Sequence, residues 1–271
     1  MNSEKKEHEN SKMSHVETSI QGHILDIHIR RAEKFNALSL QMYHDLCRAF
    51  AELDNNPQLR VAVLHAEGKH FTAGVELDEW AAHFGSGEGF PFQAGGVDIF
   101  GLTGPRRRKP VVQAVQGYCF TWGVEIMLNL EVRIVADDTQ FAMLEVQRGL
   151  YPCGGATLRL PQQIGLSNAQ RYLLTGERWS AAEAYRLGLV QEVVPAGQQY
   201  DAAMEVAESI ARAAPLAVEG VMKAVHFAAH HCESEAVAQM FTDLVPVMQS
   251  EDAAEGIQSF VERREAVFKG C

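Results

Sequence analysis

A chain of 271 residues, 46% apolar and 22% charged, can bury a substantial core as one large body or two small ones, and it is too mixed for a fibrous or fully disordered polymer. Its 24 basic and 35 acidic residues leave a formal charge of −11, a field that repels phosphate backbones and argues against nucleic acid as a partner. No apolar run reaches the roughly 18 residues of a membrane span, so no membrane partner is expected. The five scattered cysteines (Cys47, Cys119, Cys153, Cys232 and Cys271) fit neither a disulfide framework nor a zinc pattern, which points to a reducing, cytoplasmic setting.

Residues 1–14 are polar and lack the apolar stretch of a secretory signal; they read as a disordered tail, in which Met13 offers a second possible start. Ile24–Ile29 alternates apolar and polar side chains, the period of a half-buried strand. Ser39 is placed as an N-cap for a helix on which Leu40, Tyr43, Leu46, Phe50 and Leu53 share one face, closed before Pro57. Short apolar strands follow at 61–64, Val111–Val115 and 133–136. Gly117 and Gly123 bracket a turn into a helix expected over 124–130. From about Ser167 the pattern is nearly all helical, with starts at Ser180, Pro215, Ser234 and Ser250 and one late strand at 191–194. The organisation expected is an α/β body over 15–196 and a helical C-terminal region over 197–271. Between them in character, 84–104 is rich in glycine yet holds Phe84, Phe90, Phe92 and Phe100; it reads as a surface loop or as an apolar pocket wall.

Two carboxylates sit in apolar surroundings, Glu125 in Gly-Val-Glu-Ile-Met-Leu and Glu145 in Phe-Ala-Met-Leu-Glu-Val. Burial there would carry a desolvation penalty, the usual route to a carboxyl group that exchanges protons near neutrality. Taken singly, each reads first as a carboxylate reaching water from a helix face or strand end. The turn Cys119-Phe-Thr-Trp-Gly-Val enters a helix, and Phe71-Thr-Ala-Gly-Val follows a strand. Each could offer a backbone N–H to a developing oxyanion.

In order along the chain stand Phe71-Thr-Ala-Gly-Val-Glu-Leu, Lys109-Pro-Val-Val-Gln-Ala-Val-Gln-Gly, Gly123-Val-Glu125, Ala136-Asp-Asp-x-x-Phe141, Glu145-Val-Gln-Arg-Gly-Leu-Tyr-Pro152, Gly154-Gly-Ala-Thr-Leu-Arg-Leu160, Leu173-Leu-Thr-Gly-Glu177, Ala181-Ala-Glu-Ala with Gly188-Leu-Val, and Glu251-Asp-x-x-Glu-Gly256 with Phe260-Val-Glu-x-Arg264. From about Val16 to the C-terminus this series resembles the enoyl-CoA hydratase/isomerase (crotonase) family. The resemblance implies a spiral of β-β-α turns with a helical C-terminal trimerisation region, giving a homotrimer or a hexamer. It implies an acyl-CoA thioester as substrate and no separate cofactor or metal. Glu125 and Glu145 would be the catalytic acid/base pair. The backbone N–H groups of Val75 and Trp122 would bind the thioester oxygen, with Ala73, Glu76, Leu77 and Asp78 along the thioester arm and Cys153 beside the water. Lys34 and Ala37 would lie at the CoA nucleotide end.

The family usually has glycine at the position of Trp122 and commonly at that of Cys153. Trp122 is therefore either a core aromatic under the turn or a wall of a reshaped acyl site. A nucleophilic Cys153 would need a base or cation that the sequence does not show. Arg106-Arg-Arg-Lys109 reads as a solvated turn, with contact to CoA phosphates as the alternative, and His230-His231 points in two directions on a helix, against metal binding. Two glutamates favour hydration of a 2-enoyl-CoA. Isomerisation, hydrolysis, decarboxylation or C–C cleavage of another acyl-CoA is the alternative, and a non-catalytic oligomeric binding protein a remote one.

Overall fold

The computed structural model describes residues 14–271, so the expected tail and the start at Met13 lie outside the described residues except for Ser14, whose hydroxyl donates to Asp45 Oδ2 at 2.9 Å. The strands in chain order are β1 (Val16–Gln21), β2 (Ile24–Ile29), β3 (Val61–Ala66), β4 (Val111–Val115), β5 (Tyr118–Phe120), β6 (Val132–Ala136), β7 (Gln140–Ala142), β8 (Trp179–Ser180) and β9 (Glu192–Val194). They form a six-stranded sheet in the order β1-β2-β3-β4-β6-β9 and a three-stranded sheet in the order β5-β7-β8. The β1/β2 hairpin is antiparallel, and every later pairing in the large sheet is parallel.

The spiral follows from how each stretch of chain is shared between the two sheets. β4 lies in the large sheet, β5 in the small one, and α3 (Trp122–Met127) comes next. β6 and β7 repeat the step and lead into a 3-10 turn at Glu145–Arg148. After β3 the second strand shrinks to a single bridge, Thr72 to Cys119, before α2 (Leu77–Gly85). These are the expected β-β-α turns.

Parallel strands covered on both faces read as near-continuous apolar runs, and the two faces separate cleanly here. Leu25, Ile27, Leu64 and Val115 share a buried cluster with Leu46, Phe50 and Leu53 of α1 (Leu40–Asn55). Each such fully buried side chain contributes roughly 1.5–3 kcal/mol. On the other face Val61, Val63, Val112, Ala114 and Ile134 meet Ala203 and Ala207 of α7 (Gln199–Arg212), where small side chains admit close approach. The first helix of the C-terminal region thus packs on the large sheet.

Three helix starts form as the sequence indicates. The hydroxyls of Ser39, Ser180 and Ser250 accept from the N–H groups of Met42, Glu183 and Ala253 at 3.2, 3.2 and 3.0 Å, and Pro215 opens α8 (Pro215–Ala228) at a position whose N–H has no helical partner. Other boundaries differ. α9 (Glu233–Met248) starts before Ser234, because Cys232 is the N-cap and Glu235 reaches back to its N–H at 3.4 Å. α3 starts at Trp122 rather than 124 and stops at Met127 rather than 130. Thr121, at φ +50° and ψ −111°, turns the chain abruptly, and its carbonyl already accepts from Val124 and Glu125. Helix also begins before Ser167, with α4 (Ala156–Ile164) and α5 (Leu166–Thr175). α6 (Ala181–Arg186) and α10 (Glu251–Glu262) complete the set. Among the described residues no helix is long and apolar enough to cross a membrane.

Candidate active site

Because the strands from β2 onward run parallel, the segments leaving the C-terminal ends of β3 and β4 emerge on one edge of the sheet, where such folds place their sites. Glu125 lies in the first turn of α3 and is 5% exposed. Its Oε1 accepts from the Ala156 N–H at 3.2 Å. Burial, then the charge of Glu145, pushes its pKa up to about 8. Glu145 opens the 3-10 turn, half-buried, and burial pushes it up to about 7; its Oε2 is buried with no partner among the described residues. Two carboxyl groups in each other's field, both near neutrality, can hold one proton between them and exchange it with a bound molecule.

Cys153 shares this field. Burial and the nearby charges of Glu125 and Glu145 push its thiol up to about 11, the opposite of an activated nucleophile.

Across the site, three strand-like segments converge. Leu38 bridges Val75, and Thr72 bridges Cys119. Glu76 N–H donates to the Leu38 carbonyl at 2.9 Å, and Phe120 N–H to the Thr72 carbonyl at 3.1 Å. Among the described residues the backbone N–H groups of Val75 and Trp122 have no intramolecular acceptor. The Trp122 indole does not wall an acyl pocket. It is 1% exposed, lies 5.9 Å centroid to centroid from Phe71, and donates its Nε1–H to the Gly74 carbonyl at 2.6 Å. Gly74 itself has φ +125°, and a Cβ there would meet Thr121 Oγ1 at 3.0 Å, so the two turns touch where only glycine fits.

The remaining expected positions flank this junction. Ala73 N–H donates to the Phe35 carbonyl at 2.9 Å, which sets the turn holding Lys34 and Ala37 beside it. Lys34 is exposed. Glu76 precedes α2 and pairs with Arg31 at 2.7 Å; the same guanidinium donates to the Ala37 carbonyl at 2.8 Å. Leu77 and Asp78 are exposed in the first turn of α2. Arg106–Lys109 does not behave as a solvated turn throughout. Arg107 is buried against both oxygens of Glu131 at 2.9 and 3.0 Å, and Lys109 donates to the carbonyls of Leu53 and Asn56 at 2.9 and 2.7 Å. The run precedes β4, at the sheet edge opposite the carboxylates.

Segment 84–104 is exposed over 85–89 and 93–95, but Phe84, Phe90 and Phe100 pack inward on the core. Phe84 and Phe90 pack on Trp80, and Phe90 also meets Tyr43. Its C-terminal half is organised by buried Asp98, which accepts from the Tyr43 hydroxyl and from the N–H groups of Phe100, Leu102 and Thr103 at 2.8–3.0 Å. Phe100 is thereby pressed toward Gly154, where a Cβ would lie 3.1 Å from its ring. Arg159 of α4 donates to the Phe100 and Gly101 carbonyls at 2.5 and 3.1 Å. Sequence reasoning gave no role to Asp98, Arg159 or Gly154, although the last two stand in the ordered motif Gly154-Gly-Ala-Thr-Leu-Arg-Leu160. The signals were a lone aspartate in Val-Asp-Ile-Phe and the Gly154-Gly155 pair ahead of a helix.

A separate groove of about 630 Å³ opens between α8, α9 and Arg106–Arg108; it shares no residue with the carboxylate site. Among the described residues no three His, Cys, Asp or Glu side chains are grouped to hold a metal ion.

Residues 19–271 match the model of the enoyl-CoA hydratase/isomerase family. The chain is 34% identical over 251 residues to enoyl-CoA hydratase EchA19 of Mycobacterium tuberculosis, covering 92% of this chain and 94% of that one. It is 35% identical over 260 residues to carnitinyl-CoA dehydratase of Proteus mirabilis, covering 92% and 96%. The crystal structure of an enoyl-CoA hydratase from M. tuberculosis H37Rv superimposes with a TM-score of 0.86 at 33% identity, over 95% of this chain and 99% of that one. From the ordered motifs, the two-sheet spiral and these likenesses together, the chain belongs to the enoyl-CoA hydratase/isomerase family.

Proposed function

We propose that this chain catalyses the reversible addition of water to a 2-enoyl-CoA, with Glu125 and Glu145 as the acid/base pair and the Val75 and Trp122 N–H groups as the oxyanion donors. The observation that carries the reading is the convergence of one buried and one half-buried carboxyl group, raised to about 8 and about 7, with two unengaged backbone N–H groups on one edge of the sheet.

The steps follow from that geometry. The two N–H groups take the charge that develops on the thioester oxygen as an enolate forms. In hydration Glu125 as carboxylate removes a proton from the attacking water while protonated Glu145 delivers one to the α-carbon. In dehydration Glu145 as carboxylate removes the α-proton and protonated Glu125 protonates the departing hydroxyl. With both carboxyl groups raised toward neutrality one proton can sit on either of them, and with it on Glu125 the pair is set for dehydration. Hydration then begins after the proton passes to Glu145 through the bound water. The backbone N–H of Cys153 helps to hold that water. The CoA thioester is the substrate, and the chemistry draws on no metal or redox cofactor because the electrophilic role falls to the two N–H groups. Ala73, Glu76, Leu77 and Asp78 run along the thioester arm, with Lys34 and Ala37 toward the nucleotide end.

With the Trp122 indole in the core, its departure from glycine gives no reason to expect a narrowed acyl site. Assembly as a homotrimer or a dimer of trimers is supported by the apolar side chains that α8 and α9 leave exposed, among them Val221, Val225, Met240, Phe241 and Leu244. A cytoplasmic location is supported by five cysteines that are all unpaired.

The test is Glu145→Gln. Turnover of a short 2-enoyl-CoA should fall at least about 1,000-fold, while binding of a saturated acyl-CoA, read by calorimetry, stays within about threefold. Retained hydration would remove the assignment. Wild-type protein that shifts a double bond without adding water would move the chain to the isomerase side of its family.

A further inference from the structure

Trp122 has two donors, and they act on the same few ångströms of the site. Its backbone N–H is unengaged, and its indole Nε1–H is bonded to the Gly74 carbonyl at 2.6 Å. That carbonyl belongs to the peptide whose N–H is Val75. In a trans peptide the C=O and N–H point in opposite directions, so whatever fixes the Gly74 oxygen also aims the Val75 hydrogen.

Two groups hold that oxygen. The Leu38 N–H donates to it at 2.9 Å, and the indole supplies the second and shorter bond. Thr72 Oγ1 lies 3.2 Å away, but it is nearer the Asn36 carbonyl, at 2.8 Å, and a hydroxyl has one proton to give. The same Oγ1 accepts from the Gly74 N–H at 3.1 Å. Without the indole, the peptide between Gly74 and Val75 would keep one donor on its oxygen at a glycine whose φ of +125° gives the backbone wide latitude. Donation to a carbonyl also polarises the peptide and strengthens its N–H as a donor.

We propose that the Trp122 side chain is a positioning residue for the oxyanion site: by clamping the Gly74 carbonyl it aims and polarises the Val75 N–H, while the backbone of the same residue supplies the second donor. This rests on the function proposed above. It makes residue 122 the point where both donors are set together, and it gives the tryptophan a role in place of the glycine usual in the family. The clamp lies on the peptide face turned away from the ligand, so its effect falls on the reacting carbonyl and leaves acyl-chain fit alone.

Trp122→Phe keeps a buried aromatic ring and deletes the N–H, along with the pyrrole part of the indole. Incorporating 3-benzothienylalanine at 122 deletes the N–H with the full bicyclic shape kept and serves if the phenylalanine variant fails to fold. Two readouts are taken. In the first, kcat for a short 2-enoyl-CoA should fall about tenfold with KM within about twofold, a fraction of the loss from deleting a whole oxyanion donor. In the second, the infrared thioester carbonyl band of bound, unreactive butyryl-CoA should shift to higher frequency than in the wild type, toward its value in water-free solvent. The carbonyl shift needs no turnover, so it separates failure of the clamp from failure of the hydratase reading. An unchanged carbonyl band in a folded variant that binds butyryl-CoA would overturn the proposal, whatever the kinetics. A shift in both variants, with wild-type affinity, supports it.

Discussion

Gly154 lies so close to Glu125 that a Cβ on residue 154 would stand 2.6 Å from Glu125 Oε2 and 2.8 Å from its Cδ. The obstructing atoms are the far end of a side chain that can swing, so the fold can absorb the added methyl while the carboxylate cannot stay where it is. Gly154→Ala should therefore separate activity from stability. Turnover should drop by about 100-fold or more, because a base displaced by about 1 Å loses its alignment. The melting temperature should move by only a few degrees. Kinetics and thermal unfolding on the same preparation check this; equal losses in both would mean that the glycine serves packing rather than the carboxylate.

The same carboxylate gives a pH signature. The folded pKa of Glu125 is raised to about 8 against an ordinary 4.5, so the folded state binds the proton more tightly than the unfolded chain. Its stabilising share is then complete below the ordinary value, declines as pH rises between the two, and is gone above about 8. Glu125→Gln cannot ionise and escapes that decline. Relative to the wild type, the variant should gain on the order of a few kcal/mol between about pH 5 and about pH 9, read by chemical denaturation at both. A difference that does not change with pH would show that burial of this charge costs nothing. In the wild type, kcat/KM should be bell-shaped, highest between about 7 and about 8, where the pair holds one proton.

Much of this was legible in the sequence because it depends on local chemistry. The apolar face of α1 and the serine caps at 39, 180 and 250 are written within a few residues and form as read; the alternation at Ile24–Ile29 marks a strand, but β2 is buried on both faces, Asp26 included, rather than half-buried. The ordered motifs carried the family and, with it, the spiral. What stayed hidden is set by partners distant in sequence. Trp122 could be core or pocket until its indole met Gly74, 48 residues upstream. Lys109 looked like a solvated cation, yet its ammonium closes the end of α1 some 50 residues away. The start of α3 was misplaced because Thr121 adopts a positive φ that a β-branched residue rarely takes, and composition does not announce it. The loop 84–104 was undecided for the same reason, since its order comes from one aspartate whose donors lie on α1 and on the loop itself.

That aspartate yields the last prediction. Asp98 is 1% exposed and accepts from five donors: the Tyr43 hydroxyl and the Phe100 N–H on Oδ1, and the Leu102 N–H, Thr103 N–H and Thr103 hydroxyl on Oδ2. A carboxylate can take all of them because both oxygens only accept. Asp98→Asn keeps the shape but turns one oxygen into an NH₂ group, which must face donors whichever way the amide is flipped. The cost should be about 2–4 kcal/mol, the penalty of buried N–H groups left without an acceptor. The damage should also be directional. With residues 98–103 loosened, Phe100 no longer presses on Gly154 and Arg159 loses two fixed carbonyl acceptors. Limited proteolysis should then cut near 98–104, and KM for the enoyl-CoA should rise several-fold along with the fall in stability. Rapid amide exchange confined to that segment, with the Glu125 helix still protected, would confirm that the loop fails locally; uniform loss of protection would instead make Asp98 part of the global core.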